Sequence, residues 1–361
     1  MTDTVGSTCI PAPAFGTMSL LSRYITDLER MNPRCWSGIL ILLLGLGGSA
    51  AAQAPESPNP PTLHAQAVGD RIWYFRGESG QASAENQGYT SNAGFVVTDD
   101  GVLVFDALGT PALAQAMLEA IKSITDEPVR RVIVSHYHAD HVYGLQVFKA
   151  AGAEIWARQE GRIYLDSELA QQRLRERRST LAPWVDAQTR VLPADRWLDL
   201  RAGESMDFSL GGTAFRLISA GHAHAPDDLM LLVVAPRVLF AGDLYFNGRL
   251  PFVVDGNTRG WLADIEAMRA LQPRCIVPGH GDMSCAVDDD LRLTADYLRF
   301  LRAQMGAAVE ELSSFDEAYA AVDWSAYAEL PTFEAANRRN AYSVYLEMQV
   351  EMLGAAAEGA R

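Results

Sequence analysis

The chain has 361 residues, of which 48% are hydrophobic and 21% charged, so it is long enough to bury a substantial core in one or two domains. Its formal net charge of −15 is not offset by a long basic run, which argues against nucleic acid and other polyanions as partners.

The first 54 residues have the pattern of a leader that contains a secretory signal peptide. After Met31, Arg34 supplies a short positive region, residues 38–46 are apolar, and Ala50 to Ala52 are small. The apolar segment is shorter than the roughly 20 residues that a membrane span requires. We therefore expect translation from Met31, cleavage near Ala52, a periplasmic location and no stable membrane insertion afterwards. An uncleaved anchor is the alternative.

A proline-rich linker, residues 55–65, precedes a region in which strand and helix patterns alternate. Runs of β-branched and aromatic residues between turn signals predict strands, and apolar residues at helical spacing predict helices. The predicted strands are 71–75, 94–98, 102–106, 132–134, 154–157, a pair around Gly211 and Gly212, 228–235, 238–241 and 275–277. The predicted helices are 111–124, 142–151, 162–178 and 261–271. This alternation suggests two sheets with helices outside.

The segment 135–141 places four metal-competent side chains within six residues, directly after a short apolar run. One small ion cannot accept all four without distortion, so His136 and His138 would converge on one ion while Asp140 and His141 point to a second. The alternative is a polar turn whose histidines only form hydrogen bonds. Three of the seven histidines of the chain fall in this segment, which favours a metal site.

Three later turns, each flanked by glycine, carry further candidate ligands. They contain His222 with His224, then Asp243, and finally His280, each at a predicted strand end. Loops at strand ends can gather ligands that are distant in sequence onto one rim of a fold. Each residue alone could equally be an ordinary turn residue. Together with the segment 135–141 they indicate a complete metal centre.

The pattern His-x-His-x-Asp-His, followed by His224, Asp243 and His280, resembles the metallo-β-lactamase-fold hydrolases from about residue 91 to residue 282. The resemblance implies an α/β (α+β) fold, a four-layer αββα sandwich over residues 66–286, with a C-terminal helical extension over residues 287–361. It also implies a binuclear zinc centre at one edge of the two sheets. The first zinc would be held by His136, His138 and His224, the second by Asp140, His141 and His280, and Asp243 would bridge them.

Two further positions are interpreted through the same resemblance. His224 is preferred to His222, because His-Ala-Pro-Asp-Asp from residue 224 resembles the family's His-Thr-x-Asp-Asn pattern. Ala225 replaces the usual threonine and removes a hydroxyl that could orient neighbouring groups. Asp106 matches the family's buried acid that braces the ligand loop, although a plain strand-terminal aspartate is the alternative.

The departures from the family pattern narrow the range of candidate functions. Asp243 stands where zinc β-lactamases with a cysteine ligand have that cysteine, and the next three residues, 244–246, lack the lysine that binds the substrate carboxylate there. This weakens a dedicated antibiotic-resistance role, although β-lactamase activity stays open. Residues 135–146 and 340–347 look most like exported zinc metallohydrolases associated with sulfur-oxidation and quinoprotein systems.

The resemblance implies an exported hydrolase that acts on a small molecule. Zinc lowers the pKa of bound water to about 7 from 15.7, so a hydroxide shared by two ions would attack a lactam, lactone, ester or thioester carbonyl. Asp140 is the expected catalytic residue, because it would orient the hydroxide and relay its proton. Iron or manganese could replace zinc. The alternatives are a mononuclear iron enzyme that oxidises persulfides and a non-catalytic periplasmic metal-binding protein.

The surroundings of the site are less specific. Residues 159–193 are predicted to be helical, and a cluster of arginines there forms either a solvated face or a cover that contacts an anionic substrate: Arg173, Arg175, Arg177 and Arg178. Residues 288–353 predict helices with a break at 323–333. Cys275 and Cys285 could pair in an oxidising compartment, but buried or free thiols are the default expectation. The oligomeric state is left open.

Overall fold

The computed structural model describes residues 61–359, without the side chains of residues 356–359. The predicted signal peptide, with Cys9 and Cys35, lies outside the described residues, as does most of the predicted linker. Within the described part, no helix combines the length and the apolar character that crossing a membrane requires.

The first of two sheets contains seven strands whose order in the sheet follows the sequence. They are β1 (Gln66–Gly69), β2 (Ile72–Phe75), β3 (Ala93–Thr98), β4 (Gly101–Phe105), β5 (Val129–Ile133), β6 (Glu154–Arg158) and β7 (Arg196–Leu198). Strands β1 to β4 pair antiparallel, whereas β4 to β7 pair parallel. The hairpin predicted around Asp99 and Asp100 is confirmed as the β3–β4 pair. Strands β1 and β7 were not predicted.

The second sheet contains β8 (Ser205–Leu210), β9 (Thr213–Ser219), β10 (Leu229–Val233), β11 (Val238–Phe246) and β12 (Cys275–His280). Its order is β12-β11-β10-β9-β8, and only the pair of β11 and β12 is parallel. The carboxyl ends of β11 and β12 therefore lie side by side. The register of this pair, in which Gly242 lies opposite Pro278, places the two candidate ligands Asp243 and His280 on neighbouring strands.

The helices within the described residues flank the sheets. They are α1 (Pro111–Ile124), α2 (Ala139–Val142), α3 (Leu145–Ala150), α4 (Gly161–Leu165), α5 (Glu168–Thr180), α6 (Thr258–Ala270), α7 (Val287–Glu310), α8 (Phe315–Ala321) and α9 (Phe333–Gly359). Helix α1 has the predicted bounds, because Thr110 caps its first turn by accepting a hydrogen bond from the Leu113 amide and Pro111 fits the first helical position. The break predicted before the last helix is confirmed.

The two sheets pack face to face because strand side chains alternate between two faces. In β4, Leu103 and Phe105 enter the core between the sheets, whereas Val102 and Val104 pack under the helices of the first sheet. Gly94 faces Phe240 of the second sheet so closely that a Cβ atom would lie 2.1 Å from the ring. A third apolar core lies between the second sheet and helices α6, α7 and α9. The predicted αββα architecture is confirmed.

The helix predicted over residues 142–151 is wrong in its bounds. Helix α2 begins at Ala139, so Asp140 and His141 lie on a helical turn, and Gly144 separates α2 from α3. A Cβ atom on Gly144 would lie 1.9 Å from the Ala107 carbonyl oxygen. The chain can therefore pass this close to the end of the first sheet only at a glycine.

Three other expectations differ from the structure. The helix predicted over 162–178 is two helices, α4 and α5, because Ser167 caps a new helix by accepting a hydrogen bond from the Ala170 amide. Residues 181–193 are not helical. The default expectation of unpaired thiols is wrong, since Cys275 and Cys285 form a disulfide bond. Their pairing depends on an antiparallel bridge between Ile276 and Ser284, which spacing alone does not predict.

Candidate metal centre

The seven predicted ligands lie together at one edge of the two sheets. His136 and His138 follow β5, Asp140 and His141 lie on α2, and His224 precedes β10. His280 ends β12, as expected for a strand-end residue, but Asp243 lies inside β11 and not at its end. Gly242, with a φ of +55°, bends the strand at this point, so the Asp243 carboxylate reaches the ligand cluster.

The first predicted ligand set forms a compact group. The nearest nitrogen atoms of His136, His138 and His224 all lie within 4.8 Å of one another. The closest pair is His224 Nε2 and His138 Nδ1, which are 2.9 Å apart. His222 is exposed and its Nε2 lies 2.8 Å from the Asp255 carbonyl oxygen. The structure thus brings His224, and not His222, into the group.

The second predicted set is equally compact. One ligand atom each of Asp140, His141 and His280 lie within 4.8 Å of one another. The Asp140 Oδ2 atom is 3.4 Å from His280 Nε2 and 3.9 Å from His141 Nε2. The Asp140 side chain keeps 28% of its surface exposed, whereas the His141 side chain has none, so Asp140 borders the opening of the site.

Asp243 lies between the two sets. Its Oδ2 atom is 3.3 Å from His224 Nε2 in the first set and 3.3 Å from His280 Nε2 in the second. Its Oδ1 atom is 3.2 Å from His141 Nε2. A Cβ atom on Gly279 would lie 1.9 Å from the same carboxylate. The glycine beside His280 is therefore needed for the close approach of β11 and β12.

Unpaired buried atoms indicate that this cluster fits metal ions. Among the described residues, eight buried side-chain nitrogen or oxygen atoms lack a hydrogen-bond partner, and three of them belong to the cluster: His136 Nε2, His141 Nε2 and Asp243 Oδ1. Native proteins rarely leave buried polar atoms unpaired. Imidazole and carboxylate groups that converge with unpaired buried atoms are suited to hold a divalent cation.

Each of the five histidines has a partner on the side away from the cluster. Three of the partners lie in the first sheet and its loops. Ser135 Oγ is 3.0 Å from His136 Nδ1, and Asp106 Oδ2 is 2.9 Å from His141 Nδ1. The Thr90 carbonyl oxygen is 2.6 Å from His280 Nδ1. Two lie in one loop: Asp255 Oδ2 at 3.4 Å from His138 Nε2, and the Phe252 carbonyl at 3.0 Å from His224 Nδ1. Such partners fix the ring and direct the other nitrogen to the metal.

Asp106 contacts the ligand segment as expected for a bracing residue. Its Oδ1 atom accepts a hydrogen bond of 2.7 Å from the Ser135 amide, and its Oδ2 atom faces His141. A φ of +64° places Asp106 in the left-handed region at the end of β4. Both carboxylate oxygens are therefore used to hold the segment that carries four ligands.

The electrostatics of the cluster favour a positive charge. Burial alone lowers the pKa of His141, but the surrounding carboxylates of Asp243, Asp106 and Asp140 raise it well above its usual value. Burial would raise the pKa of Asp140, yet the charges of His141 and His280 lower it to about 2. A site that holds a proton this firmly offers the same negative field to a divalent cation.

For two histidines of the first set, burial outweighs the nearby carboxylates, so the net pKa shift is opposite to that of His141. Burial lowers the pKa of His136 well below the usual value and lowers that of His224 to about 3, so both are neutral at pH 7. Neutral imidazole is the form that binds a metal. The protonation states thus match a ligand role for both residues.

Sequence reasoning missed the loop of residues 247–257, which joins β11 to α6. Phe252 and Asp255 contact His224 and His138 from this loop, and Arg249 is buried beside His280. It also missed Asn92, whose side-chain amide donates to the Pro278 and Gly281 carbonyls on either side of the His280 turn. The only signal in the sequence for Arg249 and Asp255 was that charged residues occur shortly after the strand that carries Asp243.

The C-terminal helices hold the 247–257 loop. The Asn340 side chain accepts a hydrogen bond of 2.9 Å from the Val253 amide and donates one of 2.7 Å to the Pro251 carbonyl. Further along α9, Glu347 accepts hydrogen bonds from the amide and the hydroxyl of Thr258 at the start of α6. The extension is thus in contact with the support of the first ligand set.

Side chains beside the ligands are mostly core. Tyr137, Tyr143, Tyr245 and Phe246 are buried, and the Phe246 ring stacks on His280 with centroids 5.1 Å apart. Of the arginine cluster, Arg175 is exposed, whereas Arg173 and Arg177 are half-buried and act electrostatically on Tyr143 and Tyr164 near Asp140.

Comparison with known proteins adds curated relatives that cover part of the chain. Linear primary-alkylsulfatase of Pseudomonas sp. (strain ATCC 19151) is 23% identical over 246 residues, 57% of this chain and 44% of that protein. The 2,4-dinitroanisole O-demethylase subunit alpha of Nocardioides sp. (strain JS1661) is 29% identical over 185 residues, 50% of each chain. Metallo-beta-lactamase IND-1 of Chryseobacterium indologenes is 22% identical over 54% of this chain and 73% of that protein. The chain spans about half the length of the first two relatives.

Solved structures agree with the observed fold. A metallo-beta-lactamase from Pontibacter korlensis superposes with a TM-score of 0.52 at 18% identity, over 66% of this chain and 99% of that one. The stereoselective inverting sec-alkylsulfatase Pisa1 from Pseudomonas sp. superposes with a TM-score of 0.61 at 17% identity, over 79% and 50%. The family model described as the metallo-beta-lactamase superfamily matches residues 87–280, more than half of the chain. The chain therefore belongs to the metallo-beta-lactamase superfamily.

Proposed function

We propose that this protein is a hydrolase that uses two zinc ions to cleave a small-molecule substrate. The observation that carries the proposal is the convergence of five imidazoles and two carboxylates, three of whose buried atoms lack a hydrogen-bond partner. The first ion would be held by His136, His138 and His224, and the second by Asp140, His141 and His280, with Asp243 shared between them. The sulfatase and lactamase relatives support hydrolysis as the reaction type.

When bound, the two ions would supply an acidified water at neutral pH and polarise the bond to be cleaved. Around the two ions, the side chains of the protein would have three roles. Asp140, whose side chain is 28% exposed and ionised at neutral pH, would accept a hydrogen bond from the attacking water and pass its proton onward. The outer partners hold the imidazole rings in place, and the buried rings of Phe246 and Tyr143 exclude bulk water from the inner side.

The proposed substrates contain a carbonyl group in a lactam, lactone, ester or thioester bond. A sulfate ester is the second candidate, favoured by the similarity to linear primary-alkylsulfatase over 246 residues. Association with sulfur-oxidation or quinoprotein systems is part of the proposal and rests on the sequence patterns at 135–146 and 340–347.

We propose further that the protein acts in the periplasm. The disulfide bond between Cys275 and Cys285 supports this location, since such bonds persist in oxidising compartments and are rare in the cytosol. N-terminal sequencing of the protein from a periplasmic extract tests the proposal. A mature terminus near Gln53 is expected, and recovery of an intact leader in the cytosol would contradict it.

The test of the proposed function uses the chain expressed from about Gln53. Metals per chain are measured by elemental analysis, and the same sample is assayed with nitrocefin, a lactone, a thioester and an alkyl sulfate. We expect about two zinc ions per chain and turnover that is lost in Asp140→Ala. Asp207→Ala is the matched control, because Asp207 is exposed and, among the described residues, pairs only with Arg216. One iron per chain without hydrolysis would favour persulfide oxidation, and no turnover at all would favour a metal-binding protein.

A further inference from the structure

Tyr164 is a half-buried tyrosine of α4 beside the first ligand set. Its ring meets the His138 ring edge on, with centroids 6.2 Å apart and an interplanar angle of 76°. Among the described residues, its hydroxyl has no hydrogen-bond partner, yet it is not one of the buried polar atoms that are left unpaired. The ring is therefore held against a proposed ligand while the hydroxyl is open to solvent.

Three other tyrosines stand next to ligand positions in the chain, and their hydroxyls are not open in this way. The Tyr137 hydroxyl donates a hydrogen bond of 3.0 Å to the Leu192 carbonyl. The hydroxyls of Tyr143 and Tyr245 are buried, without a hydrogen-bond partner among the described residues. Of these four tyrosines, Tyr164 is thus the one whose hydroxyl a bound substrate can reach.

Helix α4 is packed closely against the ligand segment, so the position of Tyr164 is well supported. Gly161 begins the helix, and a Cβ atom there would lie 2.6 Å from the Tyr137 ring and 2.8 Å from a carboxylate oxygen of Asp227. The helix can come this close only at a glycine. Tyr164 follows within one turn and, like Leu165, packs against the apolar core of the first sheet. The fold therefore holds the phenol ring in one place.

Carboxylates from both sides of the ligand cluster act on the Tyr164 hydroxyl. Asp255 accompanies His138 of the first set, and Asp140 belongs to the second. Burial raises the pKa of Tyr164 above its usual value, Arg173 opposes the rise, and the charges of Asp255 and Asp140 add to it. Even at its ordinary pKa of about 10, a phenol keeps its proton at neutral pH. The Tyr164 hydroxyl is therefore a neutral hydrogen-bond donor near both ligand sets.

We propose that the Tyr164 hydroxyl donates a hydrogen bond to the substrate oxygen that becomes negatively charged when water attacks. This inference rests on the proposed function, because it assigns a further catalytic residue to the same site. The water oxygen forms a bond to the carbonyl carbon, its proton goes to Asp140, and the electron pair of the broken π bond moves to the carbonyl oxygen. When that pair returns, the bond to the leaving group breaks, and the leaving group takes the proton from Asp140. Tyr164 keeps its own proton throughout, and a donor that is already in place stabilises the charge without reorganisation.

The experiment compares two acetate esters whose leaving groups differ, 4-nitrophenyl acetate and the less reactive phenyl acetate. In zinc-loaded Tyr164→Phe, kcat should fall at least about tenfold for both esters with KM changed less than about twofold, because the lost hydrogen bond strengthens only as charge develops. Zinc content should match wild type, since phenylalanine keeps the ring that contacts His138. An unchanged kcat, a fall confined to phenyl acetate, or a loss of zinc would overturn the proposal. The last two outcomes would assign the hydroxyl to the leaving group or to the metal centre.

Tyr327→Phe is the matched control. Tyr327 is also half-buried, and its hydroxyl has no hydrogen-bond partner among the described residues, but its ring packs on Tyr297 and Phe300 of α7. The control should change neither kcat nor KM.

A second measurement separates this inference from the proposed function. Calorimetry gives the affinity of the zinc-loaded protein for phenylphosphonate, whose tetrahedral anionic oxygens resemble the charged adduct. Tyr164→Phe should bind it at least about tenfold more weakly than wild type and Tyr327→Phe, because a hydrogen bond to a charged group is lost. If the wild type hydrolyses nothing, this difference still supports the donor role. Equal affinities in the three proteins, or no binding by any of them, would overturn it.

Discussion

Two carboxylates brace the ligand cluster, and they differ in what holds them. The Asp106 side chain is 2% exposed, lies 2.9 Å from His141 and stands at the end of a strand in the middle of the first sheet. The Asp255 side chain is 41% exposed, lies 3.4 Å from His138 and belongs to the 247–257 loop. The second ligand set is thus supported by the sheet itself, whereas part of the support of the first set comes from a loop.

The loop depends in turn on the C-terminal extension. Leu250, Pro251 and Val253 form hydrogen bonds with residues of the segment that leads into α9 or with α9 itself. Helices α7 and α9 share one apolar core with β11 and α6, and the described residues form one compact unit. The two ligand sets of one metal centre can therefore be held in place by different parts of the chain.

The largest effect on zinc affinity is expected from removing the Asp243 carboxylate, which both ligand sets share. Asp243→Ala should reduce zinc affinity more than about 100-fold at both positions, because outer partners alone account for 10–100-fold. Competition with a chromophoric chelator measures the affinity, and Asp207→Ala serves as the exposed control. Retention of two tightly bound ions in the Asp243 variant would refute the shared role.

The next largest effect should come from the brace of the sheet. Asp106→Asn keeps the size of the side chain but loses the charge that faces His141, so the affinity for the second ion should fall roughly 10–100-fold. The first ion should be affected less, which stepwise zinc titration can resolve. An equal loss for both ions would mean that Asp106 acts on the whole ligand segment through Ser135.

The brace in the loop should matter less. Asp255→Asn is expected to lower the affinity for the first ion by no more than about tenfold, because the Asp255–His138 pair is longer and partly screened by solvent. The same titration measures it. A loss larger than that of Asp106→Asn would reverse the ranking of the two braces.

Two asparagines of α9 test whether the C-terminal extension contributes to zinc binding as well as to stability. Asn340 and Asn337 are both fully buried and both contact the Tyr297 hydroxyl, but only Asn340 also holds the loop. Replacement of either by alanine should cost about 1–3 kcal/mol of stability, since buried partners are left unpaired. Only Asn340→Ala should also weaken zinc binding, by a few fold. Equal zinc affinities in the two variants would limit the extension to a stabilising role.

The smallest effect on the site is expected from Asp227, which accepts a hydrogen bond from the Tyr137 amide. Burial raises its pKa to about 6 from 3.8, so the folded state keeps its proton through a range where the unfolded chain has lost it. The free energy of unfolding therefore falls as pH rises from about 4 to about 6 and then levels off.

Asp227→Asn removes this titration while keeping an acceptor for Tyr137. In protein treated with EDTA, the stability of the variant relative to wild type should rise by roughly 2 kcal/mol between about pH 4.5 and pH 7. Urea unfolding at several pH values measures it. A difference that is independent of pH would show that Asp227 does not titrate in this range.

Much of the centre could be predicted from local sequence. The spacing of His136, His138, Asp140 and His141 is a property of six consecutive residues, so it survives any uncertainty about the rest of the fold. Helix α1 was predicted with correct bounds for the same reason, since its cap and its apolar spacing are local. The helix after His141 was misplaced because the contact that interrupts it, between Gly144 and Ala107, joins segments that only the fold brings together.

By itself the sequence determined which residues can bind metal, that strands and helices alternate, and that two sheets are to be expected. Only the tertiary structure decided that Asp243 lies within a strand between both ligand sets, that Cys275 and Cys285 are bonded, and that Asp255 and Arg249 border the centre. The physical reason is that residue type and periodicity act over a few neighbouring residues. Outer partners and a shared carboxylate are defined by distances between segments far apart in the chain.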